Sequence, residues 1–279
     1  MRSALILVGF LLNGFSYAKD CDPNVLVLDS VQEQMNLTFD NNYYLKKSLS
    51  QEKFCKVISR LSTLFPSQSG IPIKFSALWD LPDPNALADF SNYENAYTVD
   101  VYGGLLNLNH FTEGALVAIT CHELGHIMGG TKKSRRLWDG KKQPLNTAEG
   151  FADYFASHVC MKKYYSNVSD FEAPRNERIG LQCEKEANKA LCLNVLNAAF
   201  DDFYSISKGE ANLDLPSKAI AANTSYAPQN HPAANCRFDI MIAGYLCSNV
   251  DRPCGFNKND QYTGKGNQNA LPPRCFFKP

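Results

Sequence analysis

The stretch Ala115-Leu116-Val117-Ala118-Ile119-Thr120-Cys121-His122-Glu123-Leu124-Gly125-His126 decides how the rest of this 279-residue chain is read. Its apolar run predicts a buried helix. On a helix, His122 and His126 stand four residues apart, about 40° around the axis and one turn along it. Both imidazoles can therefore address one cation, and Glu123 lies beside that cation, where it can take a proton from a water. In a chain of this composition the pattern has a chance expectation of roughly 0.003 occurrences.

Two histidines do not hold a catalytic zinc, which takes three protein ligands and a water. Asn146-Thr147-Ala148-Glu149-Gly150-Phe151-Ala152-Asp153 supplies the third. Pro144 precedes it, and Asn146 or Thr147 can cap a helix that places Glu149 and Asp153 on one face. Glu149 is assigned to the metal. Asp153 is assigned to the outer N–H of a ligating histidine. The interleaved Ala148, Phe151, Ala152, Phe155 and Ala156 mark that face as buried, where two carboxylates need a compensating charge. The cofactor expected is one zinc ion per chain.

Around this centre the order of segments resembles peptidase family forty-eight of the gluzincins, the CAAX prenyl endopeptidases and their bacterial heat-shock and periplasmic relatives. The resemblance is carried by Asn85-Ala86-Leu87-Ala88, Asn95-Ala96-Tyr97-Thr98-Val99, Gly103-Gly104-Leu105-Leu106, the His-Glu-Leu-Gly-His helix, Glu149 to Asp153, and His231-Pro232 with Arg237. It covers about residues 80 to 245. It implies an α+β, mostly helical zincin-type fold with a small antiparallel or mixed sheet edging an active-site cleft, and a polypeptide as substrate. It also places Asn95 and Ala96 near that edge as substrate-binding residues, although Asn95 equally fits a plain turn. No apolar stretch of 18 or more residues follows the first segment, so the chain departs from the family's membrane-embedded members and no stable membrane span is expected.

His231 has three readings: an oxyanion stabiliser with a catalytic part, a fourth ligand closing the open metal position, or a helix cap. Arg237 could pair with an acidic group beneath the site, and Tyr226 could be a second oxyanion donor. His110 and His158 are read as having no part in chemistry.

The start of the chain reads as a secretory signal over 1–18: Arg2, the apolar Ala4 to Leu12, and Ser16-Tyr17-Ala18 as a cleavage site. All ten cysteines come after it, which suits disulfides in an oxidising, secreted or periplasmic setting. One pairing has a physical motive: Cys121 and Cys160 fall on the two metal-bearing helices and could staple them. Residues 19–250 are expected to form one peptidase domain, with 251–279 a disulfide-pinned tail. The chain is expected to be a monomer.

Elsewhere the pattern predicts helix over Asp22 to Pro66, short strands at Ile71 to Phe75 and Tyr97 to Val101, a helix over Cys183 to Ser207, and another from Pro232 to about Cys247. Formal charge is balanced, 28 basic against 28 acidic, so nothing global points to nucleic acid or an anionic membrane. The local exception is the basic run Lys132 to Lys142, a grip for an acidic partner or a solvated loop. The retained base Glu123 favours a zinc endopeptidase over the second hypothesis, a non-proteolytic zinc-bound chaperone or binding protein whose cleft His231 closes.

Overall fold

The computed structural model describes residues 25–27, 47–129, 133–134, 137–138, 141–142, 146–217, 231–249, 252–257 and 262–276. The signal-like segment, Lys132, Arg135 and Arg136 of the basic run, Tyr226 and the rest of 218–230 lie outside these residues.

The fold is mixed α and β. Helix α1 (Gln51–Leu64) opens with Ser50, whose hydroxyl accepts from the Lys53 N–H, and buries Phe54, Val57, Ile58 and Leu61 at helical spacing. Strands β1 (Val25–Val27), β2 (Ser67–Gln68), β3 (Ile71–Leu78), β4 (Ala86–Ser91) and β5 (Ala96–Tyr102) form one sheet. β1 and β5 run parallel to β3; β2 pairs antiparallel with β3, and β4 antiparallel with β5. The sheet is thus small and mixed, as expected. Helix did not extend back over Asp22 to Pro66, because Val25–Val27 pairs with Phe75–Ala77 as a strand.

β5 feeds through a 3₁₀ turn, Gly103–Asn107, into α2 (Glu113–Met128), which Gly129 ends. The Thr112 hydroxyl caps α2, accepting from the Ala115 N–H at 3.1 Å and donating to Asp201 Oδ2 at 2.7 Å. Next come α3 (Glu149–Phe155), a π-helical turn (Ala156–Cys160) and α4 (Met161–Tyr165) as one continuous rod. The cap of α3 is Ala148, without a side-chain bond; Asn146–Thr147 are extended and pair with Lys133–Ser134. Neither Asn146 nor Thr147 is therefore the cap.

The helix expected over Cys183 to Ser207 is α6 (Lys189–Ile206), which starts six residues later, and α5 (Glu177–Cys183) precedes it. The Asn188 side chain starts α6 by accepting from Leu191 N, and Cys183–Cys192 ties the two helices together. α7 (Ala234–Leu246) begins two residues after Pro232.

The main core joins α1, the inner face of the sheet, α2 and α6. A smaller one holds Phe151, Tyr154, Ile240, Phe256 and Phe276 between α3, α7 and the C-terminal segment. Cys121–Cys160, Cys183–Cys192, Cys236–Cys275 and Cys247–Cys254 are disulfides, and Cys55 is disulfide-bonded as well. The staple expected between the two ligand-bearing helices is thus present. Among the described residues no helix is long and apolar enough to cross a membrane.

Candidate metal centre

α2 and α3 cross so closely that a Cβ on Gly125 would stand 2.6 Å from the Ala152 Cα. The glycine between the motif's two histidine-bearing turns is what lets the second ligand helix approach. At that crossing His122 Nε2 and His126 Nε2 are 3.1 Å apart, and Glu149 Oε2 lies 3.2 Å from the first and 3.4 Å from the second. A tetrahedral zinc with bonds of about 2.0–2.2 Å separates its ligand atoms by about 3.3–3.5 Å. The triangle has that size within a few tenths of an ångström.

The chemistry of the donors agrees. Glu149 Oε2 is buried without a hydrogen bond of acceptable geometry, although three imidazole nitrogens surround it. A buried carboxylate oxygen in that position asks for a cation. The burial of Glu149 disfavours its charge, yet the nearby His122 and His126 rings outweigh this and hold the carboxyl far below the ordinary range. The residues present therefore fit a divalent ion, and His122, His126 and Glu149 would hold it.

Behind the ligands runs a chain of fixed charges. His122 Nδ1–H donates to Asp153 Oδ1 at 2.7 Å, which leaves Nε2 as the ligand atom. Arg237 donates from Nε to Asp153 Oδ2 at 2.9 Å and from Nη2 to Oδ1 at 2.7 Å, the paired geometry of a guanidinium on a carboxylate. Asp153 is fully buried and Arg237 nearly so. Burial would lower the His122 imidazole, but Asp153 overrides it, and without a cation the ring is pushed up to about 10. Glu123 is buried too, and desolvation raises its carboxyl against the pull of both histidines.

His231 sits at the mouth, its side chain 63 % exposed, with Nδ1 3.2 Å from Glu149 Oε2. Burial and the Arg237 charge lower its pKa. His231 is thus brought to the ligand set, whereas Asn95 and Ala96 are not. Asn95 occupies the turn between β4 and β5 with φ +49°, the plain-turn reading, and Ala96 opens the inner strand β5, fully buried opposite Ser91. β4, Ala86–Ser91, stands at one end of the sheet, and it packs beside α2 more extensively than its neighbour β5 does. Its alternation of buried and exposed residues was the available signal, obscured by the apolar Leu87 at an exposed position and by Pro82 and Pro84 just upstream.

His158 lies in the π-helical turn, buried, with its ring 5.6 Å from that of Tyr154. Burial and neighbouring Lys162 hold it neutral, at about 4. His110 is exposed beside Tyr204.

No protein-family model, curated protein or solved structure matches this chain.

Proposed function

We propose that this protein is a zinc-dependent endopeptidase that hydrolyses polypeptides, with a zincin-like arrangement akin to that of peptidase family forty-eight. One observation carries the reading: a buried triangle of two imidazoles and a carboxylate, sized for one ion, beside a buried glutamate that none of the three ligands needs. A bound zinc would supply Lewis acidity, making a water acidic near neutral pH and polarising a carbonyl.

The chain's own groups supply the rest. Glu123 takes the proton of the attacking water and returns it to the departing amine. Its burial raises its proton affinity toward the working pH, as suits a group that must both accept and give. Asp153 and Arg237 fix the His122 ring so that Nε2 faces inward. His231, at the mouth, is placed to donate to a developing oxyanion. The outer edge of β4 would receive the substrate backbone as an added strand. The cysteines and the signal-like start suit export from the cytoplasm.

A second reading has an observation of its own. With Nδ1 only 3.2 Å from Glu149 Oε2, His231 is close enough to join the ligand set and shut the site, as a non-proteolytic binding protein would require.

Digestion of unfolded casein, with and without a chelator, separates the two. Glu123→Gln is expected to keep zinc and lose about 10²–10⁴-fold in cleavage rate. Equal rates for wild type and variant would refute the assignment of roles. Failure of the zinc-loaded wild type on several unfolded proteins would favour the binder.

A further inference from the structure

Asp202 is a buried group that the proposed chemistry leaves unused. It lies on α6, 1 % exposed, and neither carboxylate oxygen has a hydrogen-bond partner among the described residues. A carboxyl so placed is destabilising, and evolution readily replaces such a group unless something else needs it.

Its surroundings suggest what that is. The charged and titratable groups whose fields reach it are Arg237 from α7, His122 and Glu123 from α2, and Asp153 from α3. The strongest is Arg237, the residue that clamps Asp153 and through it His122. Phe203, the next residue on α6, lies against the same guanidinium at 4.8 Å. Thus α6 meets Arg237 with two consecutive side chains, one through charge and one through packing. Four carboxyls, Glu123, Glu149, Asp153 and Asp202, share this buried region with two cations, the Arg237 guanidinium and the His122 imidazolium. The surplus is anionic, and water that would screen it is excluded.

We propose that Asp202 is a positioning residue of the metal centre: without a hydrogen bond to any ligand, its carboxylate supplies counter-charge that raises the affinity of His122, His126 and Glu149 for a divalent cation. The inference rests on the reading that this cluster takes such a cation. The partner that Asp202 lacks is the field of that ion, transmitted beside Arg237. In the empty site burial lifts the Asp202 pKa to about 7, so near neutral pH the carboxyl is divided between acid and anion. A divalent cation favours the anion, and the carboxyl O–H then breaks, its proton leaving to solvent.

A mere packing defect behaves differently. Replacing a defect stabilises the metal-free protein and leaves metal binding alone. Replacing a counter-charge also stabilises the metal-free protein but weakens the metal. The full-length chain is stripped with a chelator. Its Tm is recorded, and its zinc Kd is measured at pH 7.5 by competition with a chromophoric chelator. Asp202→Asn is expected to raise the metal-free Tm while weakening zinc about 10- to 100-fold, the range typical of groups behind the ligands. Phe203→Leu, which alters packing on Arg237 and in the main core but no charge, is expected to lower Tm and leave Kd within about twofold.

Tight zinc binding by wild type with an equal Kd for Asp202→Asn overturns the assignment of Asp202 alone. Wild-type protein that binds no zinc removes the underlying metal reading, and this inference with it. A Phe203→Leu loss matching that of Asp202→Asn would make packing the carrier and overturn the role of charge. Should Asp202→Asn not fold, Asp202→Ser makes the same comparison; failure of both would make the residue purely structural.

Discussion

The two helices that bring ligands to the centre are supported in opposite ways. α2 is long, capped by Thr112, and buried along most of its length in the main core. α3 has seven residues and no side-chain cap, and leans on a separate aromatic cluster. Within that cluster Phe151 packs at 4.8 Å from Phe276 and 5.3 Å from Phe256, both from the C-terminal segment. Tyr154 OH donates to Ala270 O at 2.8 Å and accepts from Cys254 N at 3.1 Å. The Cys236–Cys275 and Cys247–Cys254 disulfides hold that segment against α7. The third ligand's helix therefore leans on residues more than a hundred positions away, whereas the helix of the first two is held by the main core.

The largest effect expected from this difference is at Phe276. Phe276→Ala should cost about 3–5 kcal/mol in chemical denaturation and weaken zinc in the folded protein, because α3 loses its backing. Phe75→Ala, a comparable loss on β3, should lower stability by a similar amount and leave zinc affinity unchanged. Equal effects of the two on zinc would break the comparison.

A smaller effect is expected at His158, in the π-helical turn just beyond α3. Folded, its imidazole stays neutral down to about 4; in the unfolded chain it takes a proton near 6.5. The unfolded state thus binds the extra proton between these values, and stability falls as pH drops through that window, by roughly 3 kcal/mol in all. His158→Gln should remove this part of the acid sensitivity, read as the difference in Tm between the metal-free variant and metal-free wild type at pH 7 and pH 4.

The smallest concerns α2. Thr112→Ala should cost about 1 kcal/mol in denaturant titration through the lost cap. Zinc affinity should hold, because twelve buried residues already secure that helix. A marked loss of zinc on this change would show that α2 is no better anchored than α3.

The same contrast governs what the sequence made legible. His122, Glu123, His126, Glu149 and Asp153 stand out because helical spacing alone puts them on common faces. The staple of Cys121 and Cys160 follows from the same geometry, and Arg237 reaches Asp153 as an acidic partner beneath the site. Asp202 could not be found so, since nothing local distinguishes it from Asp201, which pairs with Arg175 and Thr112. Its neighbours come from three other helices. The support of α3 was hidden for a related reason. Phe256 and Phe276 sit in a segment without periodicity, where only long-range packing gives them a role. The strand at Val25–Val27 and the outer strand β4 were likewise decided by pairing rather than by local pattern.

The Cys121–Cys160 bridge has one more consequence. Its half-cystines flank the whole connection between the ligand-bearing helices, one immediately before His122 and the other beyond Glu149. A backbone cut anywhere in 130–147 would therefore leave two fragments still covalently joined beside His122, His126 and Glu149, so such a cut would not by itself dismantle the centre.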